Sequence, residues 1–138
     1  IVVENQLRNE SIHKLEQQPD VSDSESPVFD PERLRQNTGG SDQMVRQTLE
    51  MFEHESIRQL EQVRVAIESG RCEDIQSTAH LLKSSIGIVG AESCYQAAAT
   101  VEQSAQQGHL DQVKDQFIEL EFELDRLRSS LRDFVAEP

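Results

Sequence analysis

Apolar residues recur along much of this chain at intervals of three and four, the spacing of one face of an α-helix. Between Ser41 and Gly70 the stripe is Val45, Leu49, Phe52, Leu60, Val63 and Ile67. A second helix is predicted from about Cys72 to Val89, with Gly90 as its stop. A third carries Cys94, Ala98, Val101 and Ala105 on one side and ends at Gly108. In the fourth, Leu110, Val113, Phe117, Leu120, Leu124, Leu127 and Leu131 form a heptad-like seam. Ahead of them "DPERLRQN" predicts a short helix with Asp30 as N-cap and Pro31 at its first position, ending at Gly39-Gly40. Ser41 is placed to cap the next helix. No segment alternates at period two, so no strand is expected. Four long amphipathic helices with short connections predict an all-α fold, an antiparallel four-helix bundle with a short additional N-terminal helix. Ala91, Ala97, Ala98, Ala99 and Ala105 would let neighbouring helices approach closely.

The pattern weakens upstream. Residues 1–17 hold scattered apolar positions (Ile1, Val2, Val3, Leu7, Ile12, Leu15), a weak helical signal. "QQPDVSDSESPVFD" follows, rich in proline, serine and acid, with little to bury. The expected organisation is an N-terminal extension and acidic linker over residues 1–28 and a folded bundle over 29–138. The chain begins at Ile1 and not at Met, so it is expected to be a piece of a longer protein; its start lacks the features of a signal peptide.

Charge narrows the function. The 138 residues carry a formal net charge of −13, which argues against binding nucleic acid or an anionic membrane surface. No apolar run approaches the length of a membrane span. Cys72 and Cys94 are in no C-x-x-C pair and near no His at ligand spacing, so both are expected to be reduced, in a cytoplasmic setting.

The candidate chemistry lies in "TAHLLKSSIGIVGA", residues 78–91. At about 100° per residue, Ile75, Thr78, Ala79, Leu82, Ser85, Ile86 and Val89 share one side of the helix. Gln76, His80, Lys83, Ser84 and Gly87 gather opposite them. His80 therefore faces away from the core. Ser84 and Gly87 leave little bulk along its strip, and a helical glycine suggests close approach of another backbone. Lys83 is the only Lys or Arg between Arg71 and Lys114, a lone cation suited to an anion held on the imidazole. A metal site needs three or four ligands, and His80 has none at i+3 or i+4, so no metal is expected. Nothing suggests a hydrolase-type base and oxyanion site. An imidazole nitrogen is itself a competent nucleophile near neutral pH and could accept and hold a phosphoryl group.

"AHLLKSSIGIVGA" resembles the signature of histidine-containing phosphotransfer (HPt) domains at Ala79, His80, Leu82, Lys83, Ser85, Gly90 and Ala91. The resemblance extends over residues 28 to about 131, through "PVFDPERL", "AIESGRCEDI" and "AAATVEQSAQQG". It departs at Ser84, where the family usually has Gly, and at Ile86, where a second small residue is common. The resemblance implies a monomeric helical bundle that binds no ATP and has no cofactor of its own. Such domains take a phosphoryl group from an aspartate of a response-regulator receiver domain and pass it to another receiver aspartate; the receiver supplies the Mg²⁺. Carried over, His80 is the phosphorylated residue, through Nε2, and Lys83 stabilises the phosphoryl oxygens. Gln76, Ser84 and Gly87 form docking ground. Glu102 aligns best as the residue that orients the imidazole, with Gln103 and Gln106 nearby. Exposed apolar residues of the neighbouring helices, Leu34 among them, are expected to rim the docking surface. A place at the C-terminal end of a membrane-anchored hybrid sensor histidine kinase would suit the acidic linker.

Three alternatives compete. The dimerisation helices of histidine kinases carry an acid directly after the His, but here Leu81 follows, and no Gly-rich nucleotide motif is present. A non-catalytic helical adaptor would dock a receiver or another partner with His80 incidental. A degenerate domain would dock receivers without transfer, and the intact His80 and Lys83 speak against it.

Overall fold

A computed structural model describes residues 28–136. They form five helices: α1 (Pro31–Asn37), α2 (Asp42–Ser69), α3 (Cys72–Ile88), α4 (Glu92–Gln106) and α5 (Leu110–Ala136). No strand occurs among the described residues. Helices α2 to α5 pack in sequence order, each against the next, and α5 closes the ring against α2. Short connections make neighbours antiparallel, and the result is the four-helix bundle expected from the periodicity. The expected extension and linker, and the weak helical pattern of residues 1–17, lie outside the described residues save for Val28.

The caps follow the local chemistry. The Asp30 carboxylate accepts from the amides of Glu32 and Arg33 at the start of α1, and the Ser41 hydroxyl accepts from the amide of Met44 at the start of α2. Helix α3 ends at Ile88, one residue earlier than its apolar stripe, and Gly90 follows at φ 72°.

Buried residues match the stripes closely: Val45, Leu49, Phe52 and Val63 from α2, Ile75, Ala79, Leu82 and Ile86 from α3, Cys94, Ala98 and Val101 from α4, and the seven-residue seam of α5 except Leu110, which is half-buried. Leu60 and Ile67 also lie at the edge of the core, half-buried. Four polar residues are buried that the stripes did not announce: Thr38, Ser56, Ser104 and Glu123.

Leu34 corrects one expectation. It is fully buried and contributes nothing to an exposed rim. The reason lies in how α1 docks. The Asp30 amide donates to the carbonyl of Gly90 at 2.9 Å, and the Asn37 side-chain amide donates to the carbonyl of Ile88 at 3.0 Å. Helix α1 thus satisfies carbonyls that the end of α3 leaves without partners, and Leu34, between those two anchors, is turned into the bundle. Phe29 is also buried, edge-on to Phe134 of α5 with ring centroids 5.3 Å apart.

Candidate functional site

Helix α3 buries Ile75, Ala79, Leu82 and Ile86, and that alone turns His80 outward: its side chain is 56% exposed. The hydroxyls of Ser77, Thr78 and Ser84 each donate to the carbonyl four residues earlier, so Ser84 folds back onto the carbonyl of His80. Gln76 and Gly87 are half-buried and Ser84 is exposed, one turn before, two turns after and one turn after the histidine.

Helix α4 supplies the partner. The small residues Ala98 and Ala105 are buried on the face it turns to the bundle, and Glu102 comes to the edge of α3. One carboxylate oxygen of Glu102 lies 2.9 Å from Nδ1 of His80 and the other 2.8 Å from Nζ of Lys83. Both oxygens are engaged, and the carboxylate is largely covered, with 17% exposure. Burial pushes the Glu102 carboxyl up, but the hydrogen bonds from Lys83 and His80 together outweigh it and hold the group below the usual carboxylate range. The hydrogen bond to Glu102 raises the Lys83 ammonium against the opposing effect of burial.

This pairing fixes the imidazole chemistry. An ionised carboxylate only accepts hydrogen bonds, so the proton of the neutral ring belongs on Nδ1. The lone pair is left on Nε2, which has no hydrogen-bond partner among the described residues. Gln103 and Gln106, the other candidates for orienting the ring, are exposed on α4; Glu102 makes the contact.

Sequence reasoning missed Tyr95. Its ring faces the Lys83 ammonium, 5.7 Å from the ring centroid, and lies over Gly87. The close neighbour that a helical glycine implies is, on this side, an aromatic ring of the same chain. Tyr95 is the only tyrosine in the chain and stands two turns before Glu102, as Gly87 stands two turns after His80; that antiparallel register was the available signal. Beyond the histidine, an apolar groove of about 300 Å³ runs between α1, α2 and α3, lined by Thr48, Met51, Phe52, Ser85 and Ile88 among others. Leu81, Ile88 and Met51 are exposed. Among the described residues no three His, Cys, Asp or Glu side chains come together as a metal site, and no helix is long and apolar enough to cross a membrane.

The fold is a helical bundle that presents one exposed histidine tied to a carboxylate. A sequence profile described as the Hpt domain matches residues 47–130, more than half the chain, and the chain belongs to that family. Its structure is similar to the crystal structure of histidine-containing phosphotransfer protein B (HptB) from Pseudomonas aeruginosa PAO1. The TM-score is 0.74 and the sequence identity 21%, over 80% of this chain and 96% of that one. That likeness speaks for the fold. No curated protein matches the chain in sequence.

Proposed function

We propose that this domain accepts a phosphoryl group from the aspartyl phosphate of one receiver domain onto Nε2 of His80 and passes it to the aspartate of another. The observation that carries the reading is the hydrogen bond between Nδ1 and Glu102, which leaves Nε2 as the free nucleophilic nitrogen on an exposed face. In the step, the Nε2 lone pair attacks phosphorus. The bond from phosphorus to the aspartyl oxygen breaks, and the carboxylate leaves with the electron pair. The ring becomes a phosphorylated imidazolium that keeps its Nδ1 proton, and Glu102 balances the new positive charge. Lys83, already beside the ring, moves a short way from Glu102 to the phosphoryl oxygens. Gln76, Ser84 and Gly87 lie in the docking ground, and the Mg²⁺ and acid cluster belong to the receiver.

The parent we infer is a hybrid sensor histidine kinase. In it residues 1–28 tether a monomeric bundle over 29–138 on the cytoplasmic side of the membrane. The acidic Pro/Ser composition of residues 18–28 supports such a tether.

The test is phosphotransfer from a panel of phosphorylated receiver domains to this chain, with His80→Gln in parallel. Acid-labile, base-stable label on the wild type and none on the variant is expected. No label from any receiver that still binds overturns the reading in favour of a docking adaptor.

A further inference from the structure

Lys83 occupies a seat that its tie to Glu102 alone does not build. The Tyr95 ring lies against α3 at Gly87, where an added Cβ would stand 3.4 Å from Cε2 and 3.6 Å from Cδ2. Those are ordinary van der Waals distances, so the ring lies directly against the helix at this position. Its face then borders the Lys83 ammonium, 5.7 Å from the centroid, while the Glu102 carboxylate closes the other side at 2.8 Å. The Lys83 side chain is 20% exposed, far less than the histidine beside it. A lysine with four rotatable side-chain bonds on a helix surface ordinarily ranges widely. This one is enclosed between an anion and an aromatic face.

We propose that Tyr95 is a positioning residue for phosphoryl transfer: its ring, seated against Gly87, holds the Lys83 ammonium at the edge of His80 where an arriving phosphoryl group will need it. The inference rests on His80 being the phosphoacceptor. The π face attracts the cation, whereas an aliphatic side chain of similar bulk fills the space without that attraction. The ring does this work and the hydroxyl does not, so phenylalanine should replace tyrosine.

The test uses phosphoramidate, which needs no receiver. Nε2 attacks phosphorus, the P–N bond breaks, and ammonia leaves. Initial rates of labelling are followed by the mass of the intact chain for the wild type, Tyr95→Phe, Tyr95→Leu, Lys83→Met and the Lys83→Met/Tyr95→Leu double variant. Tyr95→Phe is expected within about two-fold of wild type. Tyr95→Leu is expected to slow labelling about two- to five-fold, the range of an exposed cation–π contact. In the Lys83→Met background the same change is expected to have no effect. A Tyr95→Leu rate equal to wild type, an equal loss in Tyr95→Phe, or an undiminished effect without Lys83 overturns the proposal.

Proton NMR of the Lys83 side chain separates the two readings. The methylene protons beside Nζ are expected upfield in the wild type and in Tyr95→Phe, and at ordinary positions in Tyr95→Leu. If the wild type labels but these protons are unshifted, the seat is wrong and the phosphotransfer reading stands. If they are shifted but His80 takes no label, the phosphotransfer reading is what fails.

Discussion

At the scale of single residues, Glu102 does two things with one carboxylate. It holds the Nδ1 proton of His80 and it anchors Lys83. Glutamine at 102 still accepts one hydrogen bond but offers no charge to the imidazolium that the proposed phosphorylation would form. Charge-assisted hydrogen bonds are roughly twice as strong as neutral ones. A loss of about 1.4 kcal/mol corresponds to a rate near one-tenth, and Glu102→Gln is expected to label with phosphoramidate about ten-fold more slowly than wild type. The carboxyl of Glu102 is held below its usual value of 4.5 in the folded chain, so the unfolded chain binds the proton more readily. The tie is therefore fully present above about pH 4.5 and is lost as pH falls through the lowered folded value. The Lys83 ammonium is raised above 10.5 and shows the opposite sign: its share is lost only as pH rises through that higher value. The difference in urea midpoint between wild type and Glu102→Gln should be constant through the neutral range and shrink below pH 4.5.

At the scale of elements, α1 acts as a plug on the end of α3. It brings Leu34 into the core and lends two donors to the carbonyls of Ile88 and Gly90. Leu34→Ala should cost about 2–5 kcal/mol in urea unfolding, as for other buried leucines, while Leu81→Ala on the exposed face should stay within about 0.5 kcal/mol. Equal costs would mean that α1 does not pack as described. The glycines after α2 and α3 offer a second comparison. Both Gly70 and Gly90 have positive φ, 73° and 72°. An added Cβ at Gly70 meets nothing within 4 Å, but at Gly90 it comes within 3.2 Å of the Cβ atoms of Asp30 and Arg33 and of the Asp30 carbonyl. Gly70→Ala should therefore lose only the left-handed backbone preference, about 1–2 kcal/mol. Gly90→Ala should lose more, because α1 must also shift.

At the scale of the whole molecule, the ring of helices is closed by packing and by ion pairs between its first and last members. Arg64 reaches Glu121 at 3.2 Å, and Arg128 and Arg132 share Glu53 at 2.8 and 2.9 Å. Such partly exposed pairs add modestly, on the order of 1 kcal/mol or less each, and the apolar core dominates. Cys94 reports on that closure. Burial, with a smaller push from Glu123, raises its thiol to about 12, whereas Cys72 is half-buried at the start of α3. A thiol reagent at pH 8 is expected to modify Cys72 in the native domain and Cys94 only on unfolding. Rapid reaction of both would mean that the α4 side of the core opens readily.

What the sequence determined by itself is what short-range periodicity and capping encode. The helices, their turns, the outward direction of His80 and the neighbourhood of Lys83 all follow from residues within a few positions of one another along one helix. Tertiary packing decided everything that depends on how one helix sits against another. The alignment favoured Glu102 over Gln103 and Gln106, but only the rotation of α4 against α3 puts its carboxylate on Nδ1. The same register lays Tyr95 over Gly87, although the two residues are separated in sequence by the turn between the helices. Leu34 looked like a surface residue because a seven-residue helix has too few positions to define a face; its burial comes from hydrogen bonds to the far end of α3. Interhelical register is set by how whole faces interlock, and no local pattern in a single helix carries it.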